Sequence, residues 1–335
     1  MTGSTPGSEI IAEAVRTHYD VGQVETPTPL PHAHQRRHRK LVTHTDAGPF
    51  LVKTYPADPV VLDALRFQHR LSRHLAAHDL PVARIQPARN GKLIVEIGNW
   101  AMELQEFVEG DPLPITWETL GVAGDALGRF HEVCRDLPRP DRDARRWRFS
   151  DAPRRLFAGL FKRAQEEGDA AAAIDACNRI ALFLHDAAKE LGLEQRSQFE
   201  TGVIHGDWHV GNLLWADGRL RAIVDLEFAG DGCFLEDLAY GLSNLCVRTT
   251  TDPERLALRL GTLLKHYQAH RRISYYEERA MYYAVGIKHV ATVSYQLPQL
   301  GGKVAGMTAS EWMATLAAQC AWLEEQAHGV RQGMR

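Results

Sequence analysis

Cysteine is scarce in this sequence, with five in 335 residues, at Cys134, Cys177, Cys233, Cys246 and Cys320. The number is odd, no pair has CxxC spacing, and the thiols are scattered through apolar surroundings. A disulfide framework and a cysteine-built metal site are therefore not expected, and the thiols read as reduced and mostly buried. No run of eighteen apolar residues occurs, and Met1 to Ile10 is polar without a basic segment leading into an apolar one. Neither a membrane span nor an export signal is expected, and the expected location is cytoplasmic. Net charge is also small, formally −3, which gives no global attraction to nucleic acid or to an anionic membrane; neither is expected as a partner. Both glycine-rich phosphate-loop signatures, GxGxxG and GxxxxGK[ST], are missing. No fixed-period repeat or extended low-complexity segment is found.

What is present suits a folded protein with more than one core: 44% hydrophobic and 24% charged residues over 335 positions suggest two lobes. The first hundred residues alternate in texture. A helix is expected over Ser8 to Tyr19, then a proline-rich stretch from Pro27 to Pro31. A short apolar strand from Phe50 to Tyr55 is interrupted by Lys53. A helix follows over Pro59 to His78, with Val61, Leu62, Leu65, Leu71 and Leu75 at helical spacing. Two further strands, Leu93 to Ile97 and Trp100 to Phe107, flank the hairpin signal Gly98-Asn99. This describes a small lobe built on a mixed sheet. After Glu109-Gly110-Asp111-Pro112 the pattern turns to long helices, including Leu120 to Cys134 and the alanine-rich run Ala164 to Leu193, and helical patterns dominate again from Ser243 onward. The expected division is an N-lobe over 1–107 and a C-lobe over 108–335, with a helical insertion at about 141–200. The arginine-rich stretch Arg139 to Arg155 reads as solvated helix faces or loop.

The chemistry is concentrated in Val203-Ile204-His205-Gly206-Asp207-Trp208-His209-Val210-Gly211-Asn212-Leu213-Leu214-Trp215, followed by Asp217-Gly218 and Leu220-Arg221-Ala222-Ile223-Val224-Asp225. Two apolar strands flank a D-G turn. A loop carrying Asp207 and Asn212 enters that hairpin and Asp225 leaves it. Phosphoryl transfer needs such a set: an aspartate to orient the acceptor hydroxyl and take its proton, and an asparagine and a second aspartate to hold Mg²⁺ through hard oxygen ligands. Loop residues that merely cap turns are the competing explanation.

The string HGDWHVGN, followed by IVDLE with its aspartate thirteen residues after the asparagine, resembles the catalytic-loop motif of the aminoglycoside phosphotransferase, homoserine kinase and choline kinase-like families. The resemblance implies an α+β, bilobal protein-kinase-like fold, with a small mixed-sheet N-lobe and a larger, mostly helical C-lobe. It also implies an ATP- and Mg²⁺-dependent kinase acting on an alcohol group. Asp207 would be the catalytic base, Asn212 a metal ligand and Asp225 the principal metal ligand. His205 would anchor the loop, and His209 would donate a hydrogen bond near the transferred phosphate. Asp237, in Asp237-Leu238-Ala239-Tyr240, would open a helix and buttress the loop; helix capping alone would also account for it. Lys53 would bind nucleotide phosphate, and the strand end around Gln105, Phe107 and Val108 would bind adenine through its backbone. Leu127-Gly128-Arg129-Phe130-His131 matches a helix pattern of packing residues.

The resemblance also predicts an acidic partner for Lys53 at the position of Gln68, whose amide can hydrogen-bond but not supply a counter-charge; Asp63 and Glu96 are candidate substitutes. In place of a glycine loop stands PLPHAHQRRHRKLV, Pro29 to Val42, whose Arg36, Arg37, Arg39 and Lys40 can either reach phosphates or line a solvated edge. The acceptor is read as a hydroxyl of a small metabolite or a Ser/Thr-containing peptide, with peptide-biosynthesis partners as one setting. Gly241 to Arg335 carries eleven Lys/Arg against seven Asp/Glu, which disfavours a polycationic antibiotic, with Glu227, Asp231 and Glu236 as the candidate carboxylates for one. The alternatives are an aminoglycoside-type antibiotic kinase, a nucleotide-binding pseudokinase and a peptide-recruiting module.

Overall fold

The computed structural model describes residues 6–30, 39–140, 143, 148 and 154–333. Along the chain the elements are α1 (Ser8–His18), β1 (Thr28–Pro29), β2 (Arg39–Thr45), β3 (Gly48–Pro56), α2 (Pro59–Ala77), β4 (Ile85–Gln86), β5 (Val95–Ile97), β6 (Trp100–Glu106) and β7 (Asp111–Pro112). Then come α3 (Trp117–Cys134), α4 (Arg154–Glu167), α5 (Ala170–Glu190), α6 (Leu193–Arg196), β8 (Thr201–Ile204), β9 (Leu213–Ala216), β10 (Arg219–Ile223) and β11 (Gly230–Cys233). The chain closes with α7 (Phe234–Leu242), α8 (Pro253–Tyr267), α9 (Tyr275–Gln299) and α10 (Ala309–Arg331). Arg36, Arg37 and most of the stretch from Arg139 to Arg155 lie outside the described residues.

Residues 1–112 and 213–227 form one compact unit, and 113–212 with 228–335 form the other. The break falls after Pro112 rather than after Phe107. The hairpin of β9 and β10 belongs with the first unit because β7 pairs with β9 and Ile223 N–H donates to Pro81 O at 2.7 Å. Its D-G turn has Asp217 and Gly218 both at positive φ, 53° and 70°, the geometry a two-residue hairpin needs to match strand twist.

The main sheet of the first unit runs β1-β2-β3-β6-β4, with β5 also on β6. The sheet expected as mixed is antiparallel in every pairing. The reason is topological: α2 carries the chain from β3 to β4, which would run parallel to it, but β6 is inserted between them. Alternation along the strands sorts the two faces. Val52, Met102, Leu104 and Leu41 join Ile11 and Val15 of α1 in one core, while Tyr55 and Ala101 pack with Leu62 and Leu65 of α2 in another. Asp58 caps α2 by accepting from Val60 and Val61 N–H, with Pro59 at the start of the helix.

The second unit is mostly helical. No helix among the described residues is long and apolar enough to cross a membrane. Gly121, Gly124 and Gly128 share one stripe of α3, and α8 packs on it so closely that a Cβ at Gly128 would sit 2.6 Å from Tyr267 O. Gly128→Ala is therefore expected to force the two helices apart and lower stability by about 1–3 kcal/mol. Chemical denaturation checks this, and a variant as stable as the parent would contradict the close approach.

Candidate active site

In the second unit the motif HGDWHVGN follows β8 directly. Gly206 has φ +77°, and a Cβ there would lie 2.5 Å from Phe228 O, so glycine is required by both conformation and space. The turn is held from behind by Asp237 in the first turn of α7, whose carboxylate accepts the N–H of His205 at 2.6 Å and of Gly206 at 2.7 Å. His205 in turn accepts the N–H of Asp207 at Nδ1, at 3.2 Å. The buttress and the anchor are thus seen as hydrogen bonds.

A second layer lies behind Asp237. His131 Nε2 stands 3.3 Å from its carboxylate, His131 Nδ1 is 2.8 Å from the Tyr267 hydroxyl, and Arg271 donates to that hydroxyl at 2.9 Å. Burial depresses the His131 pKa, and the hydrogen bond and charge of Asp237 offset this only in part. A neutral ring therefore donates from Nε2 to Asp237 and accepts the tyrosine proton at Nδ1. Arg271 is itself buried against Glu277 and bonds Glu200 at 2.8 Å. His131, read from the sequence as packing, is a polar link in this chain; its partners lie too far along the sequence for spacing to reveal them.

In the loop itself, Asn212 Nδ2 donates to the Asp207 carbonyl at 2.9 Å, which turns its side-chain oxygen the other way. His209 accepts the Gly211 N–H at Nδ1, at 3.0 Å, and brings Nε2 to 3.5 Å from the Asp207 carboxylate. Its ring stacks on Tyr240, whose ring also carries the Lys288 ammonium 3.5 Å from its centroid.

In the first unit, three charged residues face each other across the sheet: Lys40 on β2 is registered with Lys53 on β3, and Lys53 with Glu103 on β6. Lys53 is buried, not solvated. The carboxylate opposite it is Glu103, which corrects the expectation at Gln68. On α2 the buried sheet-facing positions are Leu62, Leu65 and His69, and Gln68 falls roughly 100° around the helix from His69. His69 bonds Glu103 directly, and Tyr55 hydroxyl and Gln105 Nε2 donate to Glu103 Oε1, each at 2.9 Å. Glu96 lies outside this cluster on β5, and Asp63 is exposed and paired with Arg66. The one sequence signal for Glu103 is a glutamate set between the apolar residues Met102 and Leu104 in the middle of β6.

Asp225 belongs to the same neighbourhood. The Tyr55 pKa is raised first by burial and then by the charges of Glu103, Asp225 and Glu227. Asp225 has φ +66°, a conformation that costs a non-glycine residue about 1–3 kcal/mol and is concentrated at working sites. Both its carboxylate oxygens meet the Lys40 ammonium, at 2.9 and 2.8 Å, so a cation of the chain covers both of them. Among the described residues no three His, Cys, Asp or Glu side chains form a metal-binding group. The Asp225 carboxylate and the Asn212 amide oxygen are each hard oxygen donors, the kind Mg²⁺ prefers. At the end of β6 the Phe107 N–H, expected to meet adenine, instead donates to Pro49 O at 3.2 Å, and the Gln105 backbone lies between β3 and β4 in the ladder.

The model of the phosphotransferase enzyme family, APH, matches residues 28–276, and the chain belongs to that family. It is 28% identical over 229 residues to stress response kinase A of Salmonella choleraesuis, a match covering 67% of this chain and 63% of that protein, so the chain spans less than two thirds of that relative. It is 27% identical over 268 residues to homoserine kinase of Nitrobacter hamburgensis, covering 78% and 76%. Among solved structures, an aminoglycoside phosphotransferase from Alicyclobacillus acidocaldarius superposes with TM-score 0.72 at 18% identity, covering 100% of this chain and 99% of that one. The α+β, protein-kinase-like class expected from the sequence is the fold of this chain.

Glu103 provides a direct test of the strand pairing. Burial alone would raise its pKa, but the His69 hydrogen bond and the Lys53 charge outweigh that, and the net shift is downward from 4.5. A depressed carboxylate contributes stability that is present above its unfolded pKa and lost as pH falls through the folded value. Glu103→Gln is therefore expected to unfold more easily at pH 7, and its deficit against the parent should shrink below about pH 4. Urea denaturation across that range checks this; a deficit that does not change with pH would remove the charge from the account.

Proposed function

We propose that the chain transfers the γ-phosphoryl group of ATP, with Mg²⁺, to a hydroxyl of a small metabolite or of a Ser/Thr side chain. The observation that carries this reading is the buttressed loop: two backbone N–H groups bound to Asp237 set the turn from which Asp207 is presented. Mg²⁺, when bound, would supply electrostatic stabilisation of the charge that develops during transfer. Asn212 and Asp225 would hold it, by the amide oxygen and the carboxylate. Asp207 accepts the acceptor proton, and its neighbour His209 keeps Nε2 beside that carboxylate and the incoming hydroxyl. Lys53, held opposite Glu103, neutralises phosphate, and the stretch from Gln105 to Val108 takes the adenine edge through backbone groups other than the Phe107 N–H.

The relatives carry names of both acceptor classes, homoserine and, for the Salmonella typhimurium match, serine/threonine protein kinase. The acceptor is read here as neutral or zwitterionic. Two of the three carboxylates that a polycation would need are committed to arginines: Asp231 to Arg139 and Glu236 to Arg148, each at 3.6 Å. The pseudokinase alternative is disfavoured by the presence of Asp207 and Asn212 in the loop and of Asp225 after the hairpin.

Two outcomes follow. Asp207→Asn should bind an Mg²⁺-ATP analogue within about twofold of the parent while transfer falls by about 10²–10⁴, whereas Asp225→Ala and Asn212→Ala should bind it at least about tenfold more weakly. Calorimetry with parallel turnover assays separates these; equal affinity in all three variants would contradict the metal assignment. Aminoglycosides should be poor acceptors, because desolvating several ammonium groups demands carboxylates that are already paired. Saturable phosphorylation of kanamycin at micromolar concentration would reverse that ranking.

A further inference from the structure

Lys40 and Asp225 form a contact that phosphoryl transfer does not by itself require. The ammonium lies 2.9 and 2.8 Å from the two carboxylate oxygens, and the side chains are only 13% and 21% exposed. A cation so placed covers both oxygens of the residue read as the principal metal ligand. A divalent ion approaching Asp225 must move it aside, and two positive charges on one carboxylate would repel each other.

Where the ammonium can go is limited by the sheet. Lys40 sits directly opposite Lys53 across the β2–β3 ladder, so its nearest cross-strand neighbour is a like charge, and leaving Asp225 exposes it to that repulsion. Glu103 is already engaged by His69, Tyr55 and Gln105. Two strand lysines side by side need an anion with several oxygens, and the phosphates of a nucleotide are such an anion.

We infer that Lys40 is a resident counter-cation for Asp225: in the nucleotide-free chain it occupies the metal-facing carboxylate, and it yields to a divalent ion when nucleotide phosphates take up its ammonium. The inference rests on the reading of Asp225 as a metal ligand. Metal and nucleotide binding are then coupled through one side chain, and each raises the affinity for the other. A divalent ion alone competes with Lys40, and a nucleotide without metal competes with Asp225 for the same ammonium. This gives β2 a working cation in a chain that has no glycine-rich phosphate loop.

The test uses Mn²⁺ alone, followed by electron paramagnetic resonance, and ADP alone in the presence of a chelator, followed by calorimetry. Lys40→Met should bind Mn²⁺ about three- to tenfold more tightly than the parent, because the competing partly buried pair is gone. The same variant should bind metal-free ADP about three- to tenfold more weakly, because a charge-assisted phosphate contact is lost. Opposite signs exclude general damage to the fold, which would weaken both. Lys40→Arg, which keeps the charge, should stay within about twofold of the parent for Mn²⁺. Asp225→Asn should lose Mn²⁺ binding. If it does while Lys40→Met shows no gain, the role of Lys40 is overturned and the metal assignment stands. If Asp225→Asn binds Mn²⁺ as the parent does, the metal assignment and this inference fall together.

Discussion

The second unit's chemistry depends on one buried carboxylate. Asp237 accepts the N–H groups of two consecutive residues, His205 and Gly206, and an unpaired charge or N–H at that depth would cost several kcal/mol. Satisfying all of them at once leaves the turn little freedom. It demands positive φ at Gly206, which glycine permits, and it brings Asp207 out of the strand with its own N–H tied to His205. Asn212 closes the loop by bonding back to the Asp207 carbonyl. The line from Arg271 through Tyr267 and His131 to Asp237 explains why a helix some hundred residues earlier carries a histidine at its buried face. A fully satisfied polar network of this kind specifies one arrangement where an apolar core would tolerate several.

The first unit handles charge differently. Its sheet places Lys40, Lys53 and Glu103 in one cross-strand row, on the face where Tyr55 senses Glu103, Asp225 and Glu227 together. The charges of Lys40 and Lys53 thus offset much of the negative charge of Glu103, Asp225 and Glu227. Lys53 has the Glu103 charge opposite it in the ladder, and Glu103 is itself held by three side chains, so the lysine's counter-charge comes from the sheet and not from a helix. His69 supplies the helix's contribution, as a hydrogen-bond partner to that carboxylate.

How far the sequence could be read follows from the range of each interaction. The HGDWHVGN loop, the D-G hairpin and the helix over Pro59 to His78 are local patterns, and they stand in the structure within a residue or two of their expected bounds. The fold class followed from the same motif. The partner of Lys53 was not legible, because it depends on which strands become neighbours: β6 slots between β3 and β4, and that insertion both sets Glu103 opposite Lys53 and makes the sheet antiparallel where a mixed one was expected. From α2 it is His69, one position past Gln68, that bonds Glu103. His131 and its partners, and the Lys40–Asp225 pair, join residues more than a hundred positions apart, with no spacing to betray them. The committed N–H of Phe107 is a backbone detail that no side-chain pattern encodes.

The central claim is transfer, not merely nucleotide binding. It is tested most directly by incubating the chain with γ-labelled ATP and Mg²⁺ in the presence of two acceptor pools, a deproteinised small-molecule extract and a library of Ser/Thr peptides. The account predicts labelled phosphomonoester in one of the pools, with formation that requires both the divalent ion and Asp207. Tight, metal-dependent nucleotide binding with no label delivered to either pool would contradict it and identify the chain as a nucleotide-binding regulatory module.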